Sequence, residues 1–291
     1  MSFSTFVRMH WAAFRALLVL TAITGIAYPL FIWLVAQIPG LQDKANGSIL
    51  TANGKPIGSR LIGQLFTDQA GNPLPQYFQG RPSAAGNGYD PLSSGASNLG
   101  PESIIDTPGK PSLLTTVCSR SAAVGRLEGA DASRPFCTGG GVGAVLSVIG
   151  PRDARGNVIH PTRVVSINEP CQSTPAPFLA LYEGVRVECA KGGEDYTIGQ
   201  IVPIRGAAPA NPAVPADAVT AGGSGLDPNI SPAYAGLQVA RVAKARHVSA
   251  AQIREVLAQN QSGRTLGFFG EPCVNVLQLN LTLDRKYPVS S

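Results

Sequence analysis

The 291-residue sequence is short of the residues that carry most enzyme chemistry. Histidine occurs three times, as His10, His160 and His247, and no two form an HExxH pair. There is no GxSxG elbow for a nucleophilic serine and no GxxxxGK[ST] phosphate loop; Gly54-Lys55 and Gly109-Lys110 are each followed by proline. Gly139-Gly140-Gly141-Val142-Gly143 misses the dinucleotide spacing and reads as a flexible loop. His160 and His247 read as solvent-facing residues at turns rather than members of a Ser-His-Asp relay. No catalytic residue is assigned, and independent enzymatic activity is not expected. Charge is sparse as well, at 14% of residues with a net +5 and no Lys/Arg run, which argues against a nucleic-acid partner. The five cysteines include no CxxC knuckle, so a zinc site is disfavoured and no metal is expected.

One stretch lacks charge altogether. Between Arg15 and Asp43 no ionisable Asp, Glu, Lys or Arg occurs, and Ala16–Ile38 reads as a transmembrane helix. At 1.5 Å per residue it would be roughly 34 Å long, slightly more than the hydrocarbon thickness of a bilayer. A cleaved signal peptide is the rival, but the run is too long for an h-region and ends in Ala36-Gln37-Ile38, not in a small-x-small site. Arg8 and Arg15 make residues 1–15 a short basic tail that stays in the cytoplasm, so the rest of the chain is expected outside it. Pro29 should bend the helix. Thr21 and Gly25 form a small-xxx-small pair, and with Pro29 they suggest docking against other membrane helices.

Beyond the span, 33 Gly and 24 Pro favour a loop-rich domain over a helical bundle. The expected fold class is α+β: a single N-terminal transmembrane helix, then a loop-rich extracytoplasmic α+β domain at 39–102 and 206–291. A small β-rich module at 103–205 interrupts it. Within 39–102, turn pairs such as Asn46-Gly47, Asn53-Gly54 and Asn87-Gly88 punctuate short apolar runs, and Ser59–Phe66 reads as a strand. Tyr77–Ala84 reads as an aromatic-bearing loop, either packed by its own side chains or docked on a partner. The module reads as all-β, with β-branched runs at 144–149, 162–167, 185–189 and 196–202. Cys118, Cys137, Cys171 and Cys189 fall within it; outside the cytoplasm they can form disulfides, in any of three pairings. Cys273 reads as a small, buried, unpaired residue.

Near the C-terminus, Ser231-Pro232 should open a helix whose face is Ala233, Leu237, Ala240 and Ala243. A second helix should start at Ser249 with Gln252 as capping-box partner, and bury Ile253, Val256 and Leu257. The alternation from Leu277 to Leu283 reads as a strand. Ahead of the first helix lies Thr220-Ala221-Gly222-Gly223-Ser224-Gly225-Leu226-Asp227-Pro228. Such a stretch can aim backbone N–H groups at an anion, or simply order the helix entry with Asp227 as an extra cap.

The order of the span, NGS, GSRLIGQLF, YFQGRPSA, SGASNLGP, VTAGGSGLDPNISP, QVARVAKAR and GEPCVNVLQLNLTLD resembles the KdpC family over 14–102 and 214–284. That family is the small single-span component of the bacterial Kdp potassium-transporting P-type ATPase. Residues 103–205 have no counterpart in that resemblance. It implies a non-catalytic accessory subunit that joins a channel-like potassium-selective subunit to a P-type pump subunit in the bacterial inner membrane. It also implies a catalytic chaperone that raises the pump's affinity for ATP. No stably bound cofactor is implied; ATP enters through the pump, and potassium is the transported ion. Carried onto this chain, the nucleotide-related positions would be Gly223, Ser224, Gly225, Leu226, Asp227 and Gln238. Because the topology puts these outside while ATP is inside, an indirect role is expected. The alternative from another class is a membrane-anchored extracytoplasmic binding protein.

Overall fold

The computed structural model describes residues 3–85, 88–92, 95 and 103–289, and the chain divides into two units, Met1–Leu61 and Ile62–Ser291. Asn87 and most of the SGASNLGP motif, including Pro101, lie outside the described residues.

In the first unit, helix α1 runs Phe3–Ala36, with a mean hydropathy of 2.1 over its most apolar 18 residues and no buried residue; by length and composition it can cross a membrane. Helix therefore begins well before the expected Ala16, because nothing in the basic tail breaks it. It stops at Ala36, where Pro39 restricts Ile38 and Gly40 turns left-handed at φ 88°. The turn Ile23–Ala27 is π-helical. Pro29 has no N–H and its ring crowds the carbonyl of Gly25 four residues back, and a widened turn absorbs both defects. The Thr24 hydroxyl donates to Leu20 O at 2.8 Å within the same region. A hairpin follows, β1 (Ile49–Ala52) and β2 (Lys55–Ser59), joined by Asn53 and Gly54 at φ 50° and 75°. The expected 59–66 strand is thus displaced: pairing ends at Ser59, whose hydroxyl turns to Gly47 O at 2.6 Å, and residues 60–66 contain no strand.

The second unit has two parts. Its helical part gathers α3 (Pro232–Ala245), α4 (Ala250–Gln259) and α5 (Val276–Lys286) around Phe78, Val239, Val242, Ile253, Val256, Leu279 and Leu283. Ser231 caps α3 by accepting from Tyr234 N, and Ser249 with Gln252 forms the capping box of α4, which buries Ile253, Val256 and Leu257. The buried face of α3 differs from the expected one. Tyr234, Ala235, Gln238, Val239, Val242 and Ala243 point inward while Ala233 and Ala240 are exposed. The 277–283 alternation is helix, not strand. Asn275 accepts from Gln278 N as its N-cap, and Val276, Leu279, Asn280 and Leu283 recur at helical spacing on the buried side. Only Cys273–Asn275 (β10) is extended, between β8 (Asn229–Ile230) and β9 (Gln261–Ser262).

The other part is a five-stranded sheet in the order β5-β6-β4-β3-β7, comprising β3 (Val145–Ile149), β4 (Arg163–Pro170), β5 (Leu181–Tyr182), β6 (Val185–Ala190) and β7 (Gln200–Pro203). β4 and β6 are parallel and the other pairs antiparallel. Four strands match the β-branched runs, although the last begins at Gln200, not Tyr196. An all-β module is not what forms, because α2 (Leu113–Glu128) precedes the sheet. Ser112 caps it through Thr115 N at 3.1 Å, and Gly129 ends it in the left-handed region at φ 66°. Val117 and Val124 of α2 pack on the helical core while Leu114 packs on the sheet. Of the three pairings, the chain takes Cys118–Cys137 and Cys171–Cys189. The first ties α2 to the entry of the sheet; the second closes the β4–β6 end. Cys273 is free and half-buried.

Candidate functional site

The centre of the helical part is a peptide held by side chains. Gln238, fully buried, accepts from Gln79 N at 2.7 Å and donates to Gln79 O at 3.2 Å. Asn280, equally buried, does the same to Phe78, at 2.9 Å and 3.0 Å. Arg241 donates to Pro75 O and Tyr77 O at 2.8 Å and 2.9 Å, and to the Gln238 amide oxygen at 2.9 Å. Arg246 donates to Gln76 O at 2.8 Å and lies over the Tyr77 ring. Residues 75–79 thus have most of their backbone polar groups satisfied by side chains of α3, of Arg246 at its C-terminal cap and of α5, with Phe78 plugged into the core. The aromatic half of the Tyr77–Ala84 loop is packed inward, with Phe78 in the helical core, and Gly80–Pro82 line a groove.

Arg241 in turn depends on Glu128, whose carboxylate receives its Nε at 3.0 Å and 3.1 Å in a site where the two side chains are 8% and 1% exposed. Burial pushes the Glu128 carboxyl above its ordinary range, with Arg241 acting the other way. Burial also pushes the Tyr234 phenol up, and the nearby Glu128 charge adds to it.

The glycine-rich stretch runs along one wall of the groove. Its carbonyls are engaged: Gly222 O accepts from Ala84 N at 2.8 Å, Ser224 O from Asp90 N at 3.0 Å, and Leu226 O from Gly63 N at 2.9 Å. The close packing explains the glycines. A Cβ on Gly63 would lie 2.6 Å from Asp227 O, and one on Gly225, at φ 75°, would strike the Gly88 carbonyl. Asp227 pairs with Arg81 at 2.8 Å and accepts from Asn229 N at 3.0 Å. At the start of α3 the Asp217 carboxylate receives both Ser231 N and the Ser231 hydroxyl, at 2.7 Å and 2.9 Å. A negative group already occupies the position where an anion would meet that helix dipole.

The groove has a volume of about 740 Å³ and is lined by Leu65, Phe66, Pro73 and Pro82 on one side. Arg120, Ala123, Val124 and Leu127 of α2 line the other, with Arg126 beside them. Of the six sequence-named positions, Gly225 and Asp227 line it, Gly223, Ser224 and Leu226 belong to the same wall segment, and Gln238 lies beneath as the clamp on Gln79. Thr21, Gly25 and Pro29 are in the other unit, on α1, where a Cβ on Gly25 would be 3.9 Å from the Thr21 methyl. Sequence reasoning missed the α2 wall. The signal was present as Pro111-Ser112 at one end and Gly129 at the other, with Arg120, Ala123, Val124 and Leu127 at i, i+3, i+4 and i+7. His160 and His247 are both exposed. Among the described residues no three His, Cys, Asp or Glu side chains cluster to hold a metal.

These features define a class: an α+β protein with one long N-terminal apolar helix and, in its second unit, an arginine-rimmed groove. The chain belongs to the KdpC family, K+-transporting ATPase c chain, whose family model matches residues 10–131 and 199–285. It is 36% identical over 272 residues to the potassium-transporting ATPase KdpC subunit of Kineococcus radiotolerans, covering 94% of this chain and 91% of that one. The protein of the same name from Gemmatimonas aurantiaca is 36% identical over 275 residues, covering 93% and 91%. The one from Mycobacterium bovis is 34% identical over 273 residues, covering 94% and 96%. The family match includes α1, α2 and the groove. The break in the family match is narrower than the expected 103–205: it is 132–198, which holds β3 to β6 with Cys137, Cys171 and Cys189, and the 272-residue alignment to the Kineococcus protein runs into it, so relatives have a counterpart there.

Proposed function

We propose that the chain is the accessory subunit of a high-affinity, ATP-driven potassium uptake complex, anchored by α1 in the bacterial inner membrane with Ile62–Ser291 outside the cytoplasm. It performs no chemistry itself. It joins the P-type pump subunit to the channel-like potassium-selective subunit and raises the pump's effective affinity for ATP as a catalytic chaperone. The observation that carries this reading is the family match, which takes in both the apolar helix and the groove-bearing part. The outside placement is supported by Arg8 and Arg15 ahead of the span and by the two disulfides, which persist in oxidising compartments.

The effect on ATP use is indirect. Asp217 and Asp227 flank the glycine-rich stretch with negative charge, and its carbonyls are engaged with neighbouring backbone. Gly223–Asp227 and Gln238 act by shaping the groove that faces partners, and Thr21, Gly25 and Pro29 form the face of α1 that docks on neighbouring membrane helices. Potassium-stimulated ATP hydrolysis by the complex tests this. Without the chain, turnover at low ATP should fall and recover at high ATP; an unchanged KM for ATP would refute the chaperone role. Placement is tested by an impermeant thiol reagent on intact cells carrying Gln69→Cys in a Cys273→Ser chain. Labelling is expected, and labelling only after lysis would refute it.

A further inference from the structure

We propose that the groove between α2 and the 64–82 segment receives an apolar, carboxylate-bearing stretch of polypeptide from a partner subunit of the complex. Its two sides are apolar: Leu65, 49% exposed, and Phe66 on one, Val124 and Leu127 on the other. An apolar surface of this kind is suited to a partner's side chains.

Charge complementarity identifies what that partner carries. Three guanidinium groups, Arg81, Arg120 and Arg126, face one carboxylate, Asp227, and that carboxylate is taken by Arg81 at 2.8 Å. Arg126 is exposed and has no hydrogen bond or ion pair among the described residues. Arg81 Nε is buried and has no acceptor among the described residues. Arg120 spends Nη1 on Val219 O at 3.1 Å, and its partial burial disfavours the bare cation, as an incoming anion would correct. The site therefore has cationic donors in excess of acceptors, set around apolar side chains.

The local backbone argues that the anion arrives on an acidic side chain and not as a phosphate. The nearby start of α3 is capped by Ser231 and covered by Asp217, so that helix end is not open as an N–H cradle, and Asp227 sets a carboxylate in the glycine-rich wall that a multiply charged phosphate would meet. A carboxylate needs no such cradle, because one or two arginines bind it through paired N–H donors.

The proposal rests on the reading of the chain as a member of the complex, and the experiment separates the two. The photoreactive residue p-benzoylphenylalanine replaces Leu65, and in a second preparation Ala123, in the full chain assembled with its partner subunits. Irradiation should give an adduct with a partner subunit, and the cross-linked peptide should carry Asp or Glu among apolar residues. Adding Arg126→Glu should lower the adduct yield about fivefold, the scale of turning one exposed charge pair into a repulsion, and Arg126→Lys should restore most of it. A complex that co-purifies intact but yields adducts only to lipid, only within this chain, or none from either position overturns the groove proposal alone. Absence of the partner subunits from the wild-type preparation overturns the accessory-subunit reading and this proposal with it.

Discussion

Replacing Gln238 with leucine tests the clamp beneath the groove. The two side chains have similar volumes, so the cavity contribution is small and the cost is polar. Gln79 N–H and C=O lose their partners, and Arg241 Nη2 loses its 2.9 Å acceptor. At about 1–3 kcal/mol for each buried group left unpaired, the two backbone groups alone cost about 2–6 kcal/mol. Gln79 is half-buried, so water recovers part of this, and about 3–4 kcal/mol remains. For a unit of this size such a loss lowers Tm by about 10 °C. Thermal unfolding of the detergent-solubilised chain measures it, with the exposed Gln69→Leu as control. Should Gln238→Leu melt within about 2 °C of the parent, Gln238 does not hold the 75–79 segment and the groove wall is fixed by something else.

Gly225→Ala should destabilise by about 2–4 kcal/mol, combining left-handed strain with a clash at the Gly88 carbonyl, whereas Gly222→Ala, whose Cβ meets nothing within 4 Å, should change Tm by under ~2 °C. Alkylation without reductant, followed by peptide mapping, should label Cys273 alone and recover Cys118–Cys137 and Cys171–Cys189 as linked peptides; any 137–171 link would contradict the sheet topology. The Arg163 hydrogen bond holds the Glu194 carboxyl below the usual range. Because a lowered carboxylate pKa stabilises the fold above the unfolded value and that contribution disappears as pH falls through the folded one, the Tm advantage over Glu194→Gln should be full at pH 6. It should shrink below about pH 4.3, and an advantage that grows with acid would refute the assignment.

How much of this was legible in the sequence varied with how local the cause was. Caps are local, so Ser231, Ser249 and Gln252 were read correctly, as were the apolar run of α1 and the β-branched strands. Leu277 to Leu283 failed because alternate leucines satisfy period two and, with Val276 and Asn280, a helical face as well; Asn275 as cap decided it. The inward face of α3 was misjudged because it carries a buried Gln238 and borders Arg246, polar residues that face in only to hold the distant 76–79 backbone. The groove was invisible for the same reason. Arg120 and Leu65 are 55 positions apart, and nothing local announces that they line opposite sides of one groove. The cysteine pairing also required tertiary placement, since α2 had first to lie across the sheet entry before Cys118 could reach Cys137.

Co-purification tests the subunit role most directly. Affinity purification of the tagged full-length chain in mild detergent should recover two large polytopic proteins in fixed ratio, one a P-type ATPase and the other a channel-like potassium-selective protein, with potassium-stimulated ATP hydrolysis in the eluate. Recovery of the chain alone from cells that express those proteins would contradict it.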